Sequence, residues 1–578
     1  MTLALNGVGA GKGVAIGKAR ILRRGYFDIS HYSVPAHFLA DEIARYRAAT
    51  AAVKRRLEST RRQIPRDTPL DIFALVDVHL MMADDSAFVH DPVRLIEQHR
   101  CNAEWALQMQ RETLVQAFHA MEDPYLRARA DDVEHVARRI LYELLNDRPE
   151  TGPGDQLRDG VVLAEDLAPA DAVLLQQHGV RALITEAGGA TSHTAILARS
   201  LGVPTIVGLR HAVHYIRHDD VLIVDGEQGL VVVDPDARTL RHYQRRQLQE
   251  RRVRAVLAKL TGKPAVTRDG VTVTLRANAE LPEELQTARQ SGADGIGLYR
   301  TEFLFLDRDD LPGEEEQFEV YLRVVRAMAG TPVTIRSVDL GADKEYAHYA
   351  ADGGARTNPA LGLRGIRRCL KDPAMLRAQL RAILRVSAHG PVQLCIPMLT
   401  GVDELLQVLV WVERMKQELD AAGLPFDRGL PVGAMIEVPA AALLADSFAS
   451  RLDFLSIGTN DLVQYTLAAD RLDEDVSYLY DPLHPAVLRL IDLTVQAGAR
   501  QGVPVAMCGE MAADPRRTRL LLGLGLREFS MHPAMLLEVK QVVRRSELDI
   551  ARRYARAALD AADVGEVAEL VERLNGLP

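Results

Sequence analysis

Short apolar runs recur at regular intervals between residues 263 and 578, and this pattern constrains the fold more than any other feature of the chain. Eight runs are typical of buried strands: residues 271–275, 295–298, 333–335, 392–396, 432–436, 454–457, 503–507 and 528–530. Every gap between two runs is long enough for a helix, which parallel strands require as a crossover connection. Eight strand–helix units over roughly 300 residues therefore predict a (β/α)8 TIM barrel.

The rest of the chain predicts an α/β domain interrupted by helices. Residues 1–22 combine short apolar stretches with glycine turns, and residues 148–234 return to alternating strands and helices. Between them, in a segment at 23–147, residues from about 36 onward place apolar side chains three and four positions apart, which is the spacing of amphipathic helices. The simplest arrangement is one α/β domain, built from the two outer segments, with an all-helical insertion. Its later strands are expected at residues 161–163, 182–184, 205–207, 221–224 and 230–233.

An arginine-rich stretch at residues 238–260 joins this domain to the barrel. It has no glycine or proline and mixes glutamine with apolar positions at helical spacing, so we expect a solvated connecting helix within a linker at 235–262. A nucleic-acid-binding helix is the alternative, but the stretch offers no aromatic stacking platform.

Composition narrows the class of protein. The net charge of −9 argues against a nucleic-acid coat protein and suits a basic partner. Four cysteines are too few and too scattered for a disulfide framework or a zinc cluster. No apolar run approaches the roughly 20 residues of a membrane span, and the N-terminus lacks the order of a signal peptide. We therefore expect a multidomain enzyme in the cytoplasm, with no membrane insertion and no nucleic-acid partner.

Reactive side chains follow the eight apolar runs. In a barrel of this kind the active site lies at the carboxyl ends of the strands. The residues found there are Asn278, Arg300, Arg336, Met398, Glu437, Asn460 with Asp461, Cys508, and Met531 with His532. Random surface loops would not place two arginines, two acids and a cysteine at matched positions.

The residue types favour chemistry on a small phosphorylated acid. Arg300 and Arg336 suit bidentate binding of phosphate or carboxylate. Glu437 and Asp461 offer the oxygen ligands that Mg²⁺ prefers.

Three further residues extend this site. Asn460 and Arg471 can complete an anion cradle, and Cys508 can donate a proton to carbon. Each residue also has an ordinary reading: a surface ion pair for an arginine, a salt bridge for Glu437, and a small core side chain for Cys508. Their joint placement favours the catalytic reading.

A second reactive segment lies in the α/β domain, at residues 188–204. After a glycine pair, Thr191 or Ser192 can cap a helix. His193 then stands at the helix N-terminus, where unpaired N–H groups and the helix dipole favour a covalently attached phosphate and a neutral, nucleophilic ring.

Five motifs spread over the chain belong together. They are GATSHT at residues 189–194, GLYRTEFLF at 297–305, NPALGLR at 358–364, IGTNDLVQYT at 457–466 and MCGE at 507–510. With these motifs the whole chain resembles enzyme I of the phosphoenolpyruvate-dependent sugar phosphotransferase system, in that family's domain order. The chain departs from the family at Ala190, where members often carry arginine, and at Ala172, where we associate the family with a threonine that holds the histidine ring.

The resemblance implies a role for each site residue. His193 would take the phosphoryl group of phosphoenolpyruvate, and Cys508 would protonate the enolate to give pyruvate. Glu437 and Asp461 would carry Mg²⁺. The substrate would be bound by Arg300, Arg336, Asn460 and Arg471, with Lys344 and Arg364 nearby.

The resemblance also implies two protein partners. The helical insertion would dock the histidine-containing phosphocarrier protein HPr, and the barrel would form a homodimer. His193 would swivel with its domain between the barrel and the carrier. Residues 67–93 contain six aspartates and no lysine or arginine, which suits a basic carrier surface, although an ordinary acidic helix face is the alternative.

Two other functions are compatible with parts of this pattern. A pyruvate phosphate dikinase or phosphoenolpyruvate synthase would share the swivelling histidine domain and the barrel, but needs a nucleotide-binding module for which the chain has no room. The N-terminal glycine run fits neither G-x-x-x-x-G-K-[ST] nor G-x-G-x-x-G. A non-catalytic sensor of phosphoenolpyruvate is disfavoured because His193, Cys508 and both metal acids are present.

Overall fold

The structure divides into two compact units. The computed structural model describes residues 2–11, 13–22, 31–63, 70–119, 124–145, 159–164, 175, 179–186, 203–280, 282–305, 310–340, 360–470 and 476–577. Contacts group these residues into Met1–Arg254 and Ala255–Pro578. The boundary falls inside the linker that the sequence suggests at 235–262. Among the described residues, no helix has the length and apolar character needed to cross a bilayer.

One eight-stranded sheet organises the described part of the first unit. Its strands are β1 Leu3–Asn6, β2 Val8–Gly11, β3 Val14–Leu22, β4 Val161–Ala164, β5 Ala182–Thr185, β6 Thr205–Val207, β7 Val221–Asp225 and β8 Leu230–Val233. The spatial order is β1-β8-β7-β3-β4-β5-β6-β2. Strands β3 and β4 pair in parallel from Ala19 opposite Val161. Strands from before and after the helical segment therefore share one sheet, as the sequence predicts.

The N-terminal glycine run allows two backbone segments to touch. A Cβ atom on Gly9 would lie 2.3 Å from the carbonyl oxygen of Gly226, and a Cβ atom on Gly226 would lie 1.9 Å from the carbonyl oxygen of Gly11. No side chain fits at either position. The glycines therefore serve a close backbone crossing inside this sheet.

Helices fill the segment between β3 and β4 and follow β6 and β8. They are α1 Leu39–Gln63, α2 Leu70–Asp84, α3 Ser86–Val89, α4 Asp91–His99, α5 Ala103–His119, α6 Pro124–Leu145, α7 Ala212–Tyr215 and α8 Ala237–Ala258, with a short 3-10 turn at Ala36–Phe38. In α6 the buried side chains Val133, Ala137, Ile140 and Leu144 recur every three or four residues and enter the bundle core. The arginine-rich stretch forms α8, as predicted.

The second unit is a closed barrel of eight parallel strands, so the predicted (β/α)8 fold is confirmed. The strands are β9 Thr274–Ala279, β10 Ile296–Tyr299, β11 Val333–Arg336, β12 Val392–Ile396, β13 Val432–Ile436, β14 Phe454–Ile457, β15 Val505–Met507 and β16 Glu528–Met531. Strand β16 closes the barrel by pairing with β9.

The outer helices of the barrel follow the strands in order. They are α9 Pro282–Gln290, α10 Glu314–Ala327, α11 Ile366–Lys371, α12 Pro373–Ser387, α13 Val402–Ala421, α14 Pro439–Leu443, α15 Ala445–Ala449, α16 Thr459–Leu467, α17 Pro485–Gln501, α18 Glu510–Ala513, α19 Pro515–Leu524, α20 Leu536–Arg545, α21 Leu548–Asp560 and α22 Val564–Asn575. Short 3-10 turns occur at Glu302–Phe305, Ser477–Leu479 and Pro533–Met535.

The first barrel strand differs from its prediction. The run at 271–275 was expected to be the strand, but Thr272 forms a bridge with Val266, and β9 starts at Thr274. Asn278 therefore lies within the strand and does not follow it. The strand was misplaced because Asn278 and Arg276 interrupt the apolar pattern with polar side chains that hydrogen bond to other strands or strand ends, Arg276 to Gln393 at 2.9 Å.

Candidate active site at the mouth of the barrel

A cavity of about 300 Å³ opens at the carboxyl ends of the barrel strands. Seven side chains singled out in the sequence line it: Arg300, Arg336, Arg364, Glu437, Asn460, Asp461 and Cys508. Asn278, Met398, Met531 and His532 are not among the lining residues. His193, Lys344 and Arg471 lie outside the described residues.

Two arginines at strand ends occupy different environments. Arg300 directly follows β10, its side chain is 42% exposed, and its guanidinium lies 3.7 Å from the Glu280 carboxylate. Arg336 ends β11 and is buried, with Nη2 donating to Glu302 Oε1 at 2.9 Å and Nη1 3.3 Å from Asp339 Oδ2. Burial alone would lower the pKa of Arg336, but the carboxylates of Glu302 and Asp339 raise it above its usual value. The guanidinium of Arg300 is thus open to a ligand, whereas that of Arg336 is held in place by its carboxylate partners.

Arg364 connects two acids in the cavity. Its Nε and Nη2 donate to the two carboxylate oxygens of Asp339, both at 3.0 Å, and Nη2 also reaches Asp461 Oδ2 at 3.1 Å. Nη1 donates to the Tyr465 hydroxyl at 3.1 Å, and that hydroxyl donates to the Ala360 carbonyl at 2.6 Å. This bidentate arrangement orients the guanidinium in one plane.

Three buried carboxylates come together beside these arginines. Asp339, Glu437 and Asp461 each place one oxygen so that the three oxygens lie within 4.8 Å of one another. Burial and, to a lesser extent, the charges of Asp339 and Asp461 raise the pKa of Glu437 to about 8, against the opposing effect of Arg336. An all-oxygen donor set with crowded negative charge fits a hard divalent cation such as Mg²⁺.

Glu437 is held in place by the backbone. Its Oε1 accepts a hydrogen bond of 2.7 Å from the amide of Met398, which has a left-handed conformation (φ = 60°). A Cβ atom on Gly458 would lie 2.9 Å from Glu437 Oε2, so a larger residue there would displace the carboxylate.

Cys508 stands at the end of β15 with only 3% of its surface exposed. The Ser456 hydroxyl donates to its sulfur at 3.4 Å, and the sulfur lies 3.6 Å from the Ile457 carbonyl. Burial raises the pKa of the Cys508 thiol, and the hydrogen bond from Ser456 offsets only part of that. Asn278 anchors the same loop by donating to the Cys508 carbonyl at 2.8 Å. The thiol is therefore protonated at neutral pH and close to the cavity.

Asn460 is positioned at the start of α16. Its Oδ1 accepts from the Glu510 amide at 2.8 Å, while the Tyr480 hydroxyl donates to its carbonyl at 3.0 Å. A Cβ atom on Gly509 would lie 1.8 Å from Thr459 Oγ1, so the loop after Cys508 can approach this helix only as glycine. The cavity thus combines guanidinium groups, an amide, clustered carboxylates and a thiol.

Sequence reasoning did not single out Glu302, Asp339 and Tyr465. Glu302 Oε1 accepts from both Arg336 and the Asp339 amide, at 2.9 and 2.7 Å. A signal was available in the sequence, because Asp339 follows β11 and Glu302 stands in the GLYRTEFLF motif. Their partners belong to other strands, which the sequence alone does not bring together.

Comparison with known proteins gives a consistent pattern over the whole chain. Family profiles described as "PEP-utilising enzyme, N-terminal", "PEP-utilising enzyme, mobile domain" and "PEP-utilising enzyme, PEP-binding domain" match residues 6–129, 157–229 and 254–548. The phosphoenolpyruvate-protein phosphotransferase of Cupriavidus necator is 47% identical over 584 residues, which covers 99% of this chain and 100% of that protein.

Two more distant relatives carry the same name. The protein of Geobacillus stearothermophilus is 39% identical, with 99% of this chain and 98% of the relative covered. The protein of Bacillus sp. (strain S) is 38% identical with the same coverage. A solved structure titled "NMR solution structure of Enzyme I (nEIt) protein using two 4D-spectra" is 30% identical, covers 43% of this chain and 99% of its own, and has a TM-score of 0.37.

Proposed function

Because the chain belongs to the phosphoenolpyruvate-protein phosphotransferase family, and is thus an enzyme that moves a phosphoryl group from phosphoenolpyruvate to protein, we propose specific roles for its residues. His193 accepts the phosphoryl group and passes it to a histidine of HPr, in the cytoplasm. Each alignment covers 98 to 100% of this chain and of the relative. The name that the three relatives share favours this activity over that of a dikinase or a sensor.

One observation carries the proposal for the barrel: seven side chains selected from sequence line a single cavity at the strand ends. The open guanidinium of Arg300 and the fixed guanidinium of Arg336 bind the phosphate and carboxylate of phosphoenolpyruvate. Arg364 and Asn460 line the same cavity and complete the anion site. Lys344 and Arg471 are proposed to assist, as the family resemblance implies.

The reaction begins with transfer to histidine. A neutral nitrogen of His193 attacks phosphorus, an N–P bond forms, and the bond between phosphorus and the enol oxygen breaks. The electron pair of that bond leaves with the enolate of pyruvate. A neutral ring is required because a protonated histidine has no free electron pair for the attack.

The enolate is then quenched by a proton. The buried thiol of Cys508 donates that proton to the methylene carbon, which gives pyruvate and a thiolate. Solvent returns the proton to sulfur before the next turnover. Burial suits this role, because a thiol with a raised pKa keeps its proton until a strong carbon base is present.

The carboxylate cluster is proposed to hold Mg²⁺. Glu437 and Asp461 are the ligands expected from sequence, and Asp339 contributes a third oxygen in the same cluster. When bound, the cation supplies positive charge for the phosphate and the developing enolate. Arg364 keeps Asp339 and Asp461 oriented through its hydrogen bonds.

HPr is proposed to dock on the helical insertion, residues 23–147. The exposed end of α2 supports this assignment, because Met81 is 73% exposed and Asp84 and Asp85 beside it are also exposed. An apolar contact bordered by acids suits a partner with a basic surface. The phosphohistidine domain is proposed to comprise residues 1–22 and 148–234, and the phosphoenolpyruvate-binding barrel residues 263–578.

A labelling experiment tests the proposed function. Phosphoenolpyruvate with Mg²⁺ should place an acid-labile phosphate on the wild-type chain, and added HPr should remove it. The variant His193→Ala should not be labelled, whereas His214→Ala, an exposed histidine of the same unit, should be labelled normally. Labelling of His193→Ala at the wild-type level would refute the assignment, and equal labelling by ATP would favour a dikinase.

A further inference from the structure

Two histidines and an aspartate meet between helices α2 and α6 of the first unit, and none of them is among the residues that line the barrel cavity. His79 belongs to α2, and Asp132 and His135 belong to α6. Each offers one ligand atom, and the three atoms lie within 4.8 Å of one another. We refer to these residues as the His–Asp–His cluster.

Helix geometry explains why the three side chains converge. Asp132 and His135 are three residues apart, so they share one face of α6. His79 is 1% exposed and its Nε2 lies 3.1 Å from Asp132 Oδ1. The rings of His79 and His135 are 5.9 Å apart between centroids, at an angle of 62°. The cluster adjoins the buried side chains that form the core of this helical bundle.

The donor set indicates the kind of ligand. Two imidazoles and one carboxylate suit a transition-metal ion such as Zn²⁺, whereas Mg²⁺ and Ca²⁺ prefer oxygen ligands. The 3.1 Å between His79 and Asp132 is close to the spacing of neighbouring ligands in a tetrahedral site with metal–ligand distances of about 2.0 Å. His135 adds a third ligand atom within reach of the same point.

We propose that the His–Asp–His cluster binds a divalent transition-metal ion that joins α2 to α6. The ion takes one nitrogen from each histidine and one oxygen from Asp132, and a water molecule completes four-coordination. Because the ligands come from two helices, the bound ion stabilises the folded helical insertion by mass action. The proposal concerns binding and stability, and does not depend on the catalytic roles assigned above.

Cobalt binding tests this directly, because four-coordinate Co²⁺ gives intense visible absorption. The full-length protein, treated with chelator and exchanged into metal-free buffer, is titrated with Co²⁺ and then with Zn²⁺. We expect one equivalent with four-coordinate absorption, displaced by Zn²⁺. His135→Gln and Asp132→Asn should each weaken that equivalent at least tenfold.

Matched variants separate this site from others. His90→Gln replaces an exposed histidine of the same bundle, and Glu437→Gln removes a carboxylate of the barrel cluster; both should bind Co²⁺ as the wild type does at this site. Zn²⁺ should raise the unfolding temperature of the helical bundle in the wild type, but not in His135→Gln, whose unchanged circular dichroism would show that it folds. Absence of a four-coordinate Co²⁺ signal, or an unchanged signal in His135→Gln, would overturn the proposal.

Discussion

Burial defines the chemistry that Cys508 can perform. Its side chain belongs to a buried apolar cluster with Leu298, Cys395, Met435 and Phe454, and its polar contacts are the Ser456 hydroxyl and the Ile457 carbonyl. In such surroundings a thiolate is destabilised, so the resting side chain carries its proton. This is the state that an acid catalyst needs, and the opposite of the state expected for a cysteine nucleophile.

Replacement of Cys508 by alanine should slow the conversion of phosphoenolpyruvate to pyruvate by about 100-fold or more, which is the usual range for loss of a general acid. Phosphoenolpyruvate affinity should stay within about twofold, because the guanidinium groups are unchanged. Pyruvate formation and calorimetric binding measure the two quantities. Cys395→Ala, in the same apolar cluster, is the control and should retain turnover. Unchanged turnover in Cys508→Ala would remove this residue as the acid.

At the residue scale, the sequence could predict the side chains at strand ends but not their partners. Glu437 and Cys508 were identifiable because parallel strands bring their carboxyl ends to one face whatever the details of packing. The place of Glu302 depends instead on Arg336, a residue of the next strand, and on the amide of Asp339. Such pairings need the register of the barrel, which no local pattern contains.

Side-chain hydrogen bonds connect elements of the helical bundle. Arg45 of α1 donates to both carboxylate oxygens of Glu104 on α5, each at 2.7 Å, and to the Leu144 carbonyl of α6 at 3.1 Å. It also pairs with Glu42 one turn away on α1. Burial raises the pKa of Glu104, but the hydrogen bonds from Arg45, the backbone and Asn102, together with the charge of Arg45, lower it below its usual value.

This ion pair predicts an acid-dependent loss of stability. A carboxyl whose pKa is lower in the folded state stabilises the fold above its unfolded pKa of about 4.3 and loses that effect as the pH falls through the folded value. Glu104→Gln should lower the unfolding free energy by roughly 1–3 kcal/mol at pH 7, and the difference from wild type should shrink below about pH 4.

Tryptophan fluorescence can follow the unfolding of the helical bundle separately from that of the barrel. The chain has two tryptophans, Trp105 beside Glu104 and Trp411 in the barrel, so urea unfolding in a Trp411→Phe background reports on the helical bundle. Glu112→Gln, on the exposed side of α5, serves as the control and should have little effect. A difference between Glu104→Gln and wild type that does not change from pH 7 to pH 3 would contradict the prediction.

At the element scale, strands with uninterrupted apolar patterns were placed well. The runs at 392–396, 432–436 and 454–457 coincide with β12, β13 and β14. The errors have local causes: β15 starts at Val505 and not at 503, because Pro504 has no N–H to contribute to the ladder. The position of β9 was predicted wrongly because Arg276 and Asn278 interrupt the apolar pattern by which a buried strand is recognised.

The barrel presents exposed apolar side chains on several of its outer helices. Leu406 and Val410 of α13 are 46% and 68% exposed, Leu443 at the end of α14 is 69% exposed, and Leu493 of α17 is 42% exposed. Helices α14 and α17 are in contact. Exposed apolar side chains commonly belong to interfaces, so these helices are the candidate surface for the homodimer that the family resemblance implies.

Charge placed on that surface should prevent self-association. The double variant Val410→Glu and Leu443→Glu should weaken the dimer at least tenfold, since each glutamate would be buried without a partner. Sedimentation velocity over a range of concentrations measures this. Leu248→Glu, at an exposed position of α8, should leave the dimer intact. A wild-type chain that is monomeric at micromolar concentration, or a variant that dimerises normally, would refute the prediction.

At the scale of the whole molecule, the similar sequence patterns of two separate segments predicted the split domain. The order of the strands in its sheet could not be predicted. Segments 1–22 and 148–234 both read as short strands with glycine turns, so their union was the simplest arrangement. The order β1-β8-β7-β3-β4-β5-β6-β2 mixes parallel and antiparallel neighbours. Such an order depends on packing between distant segments, which has no signature in a single sequence.

The split sheet determines the order in which parts of the first unit can fold during translation. Among the described residues, every pairing partner of β1, β2 and β3 comes after residue 160. At about 5–20 residues per second, the nascent N-terminal strands wait roughly ten to forty seconds for the last of those partners to be synthesised. The helices encoded in between make their contacts with one another and are complete earlier. During synthesis the inserted bundle is therefore expected to fold before the domain that contains it. The strands β1, β2 and β3 are translated first but are among the last elements to pair.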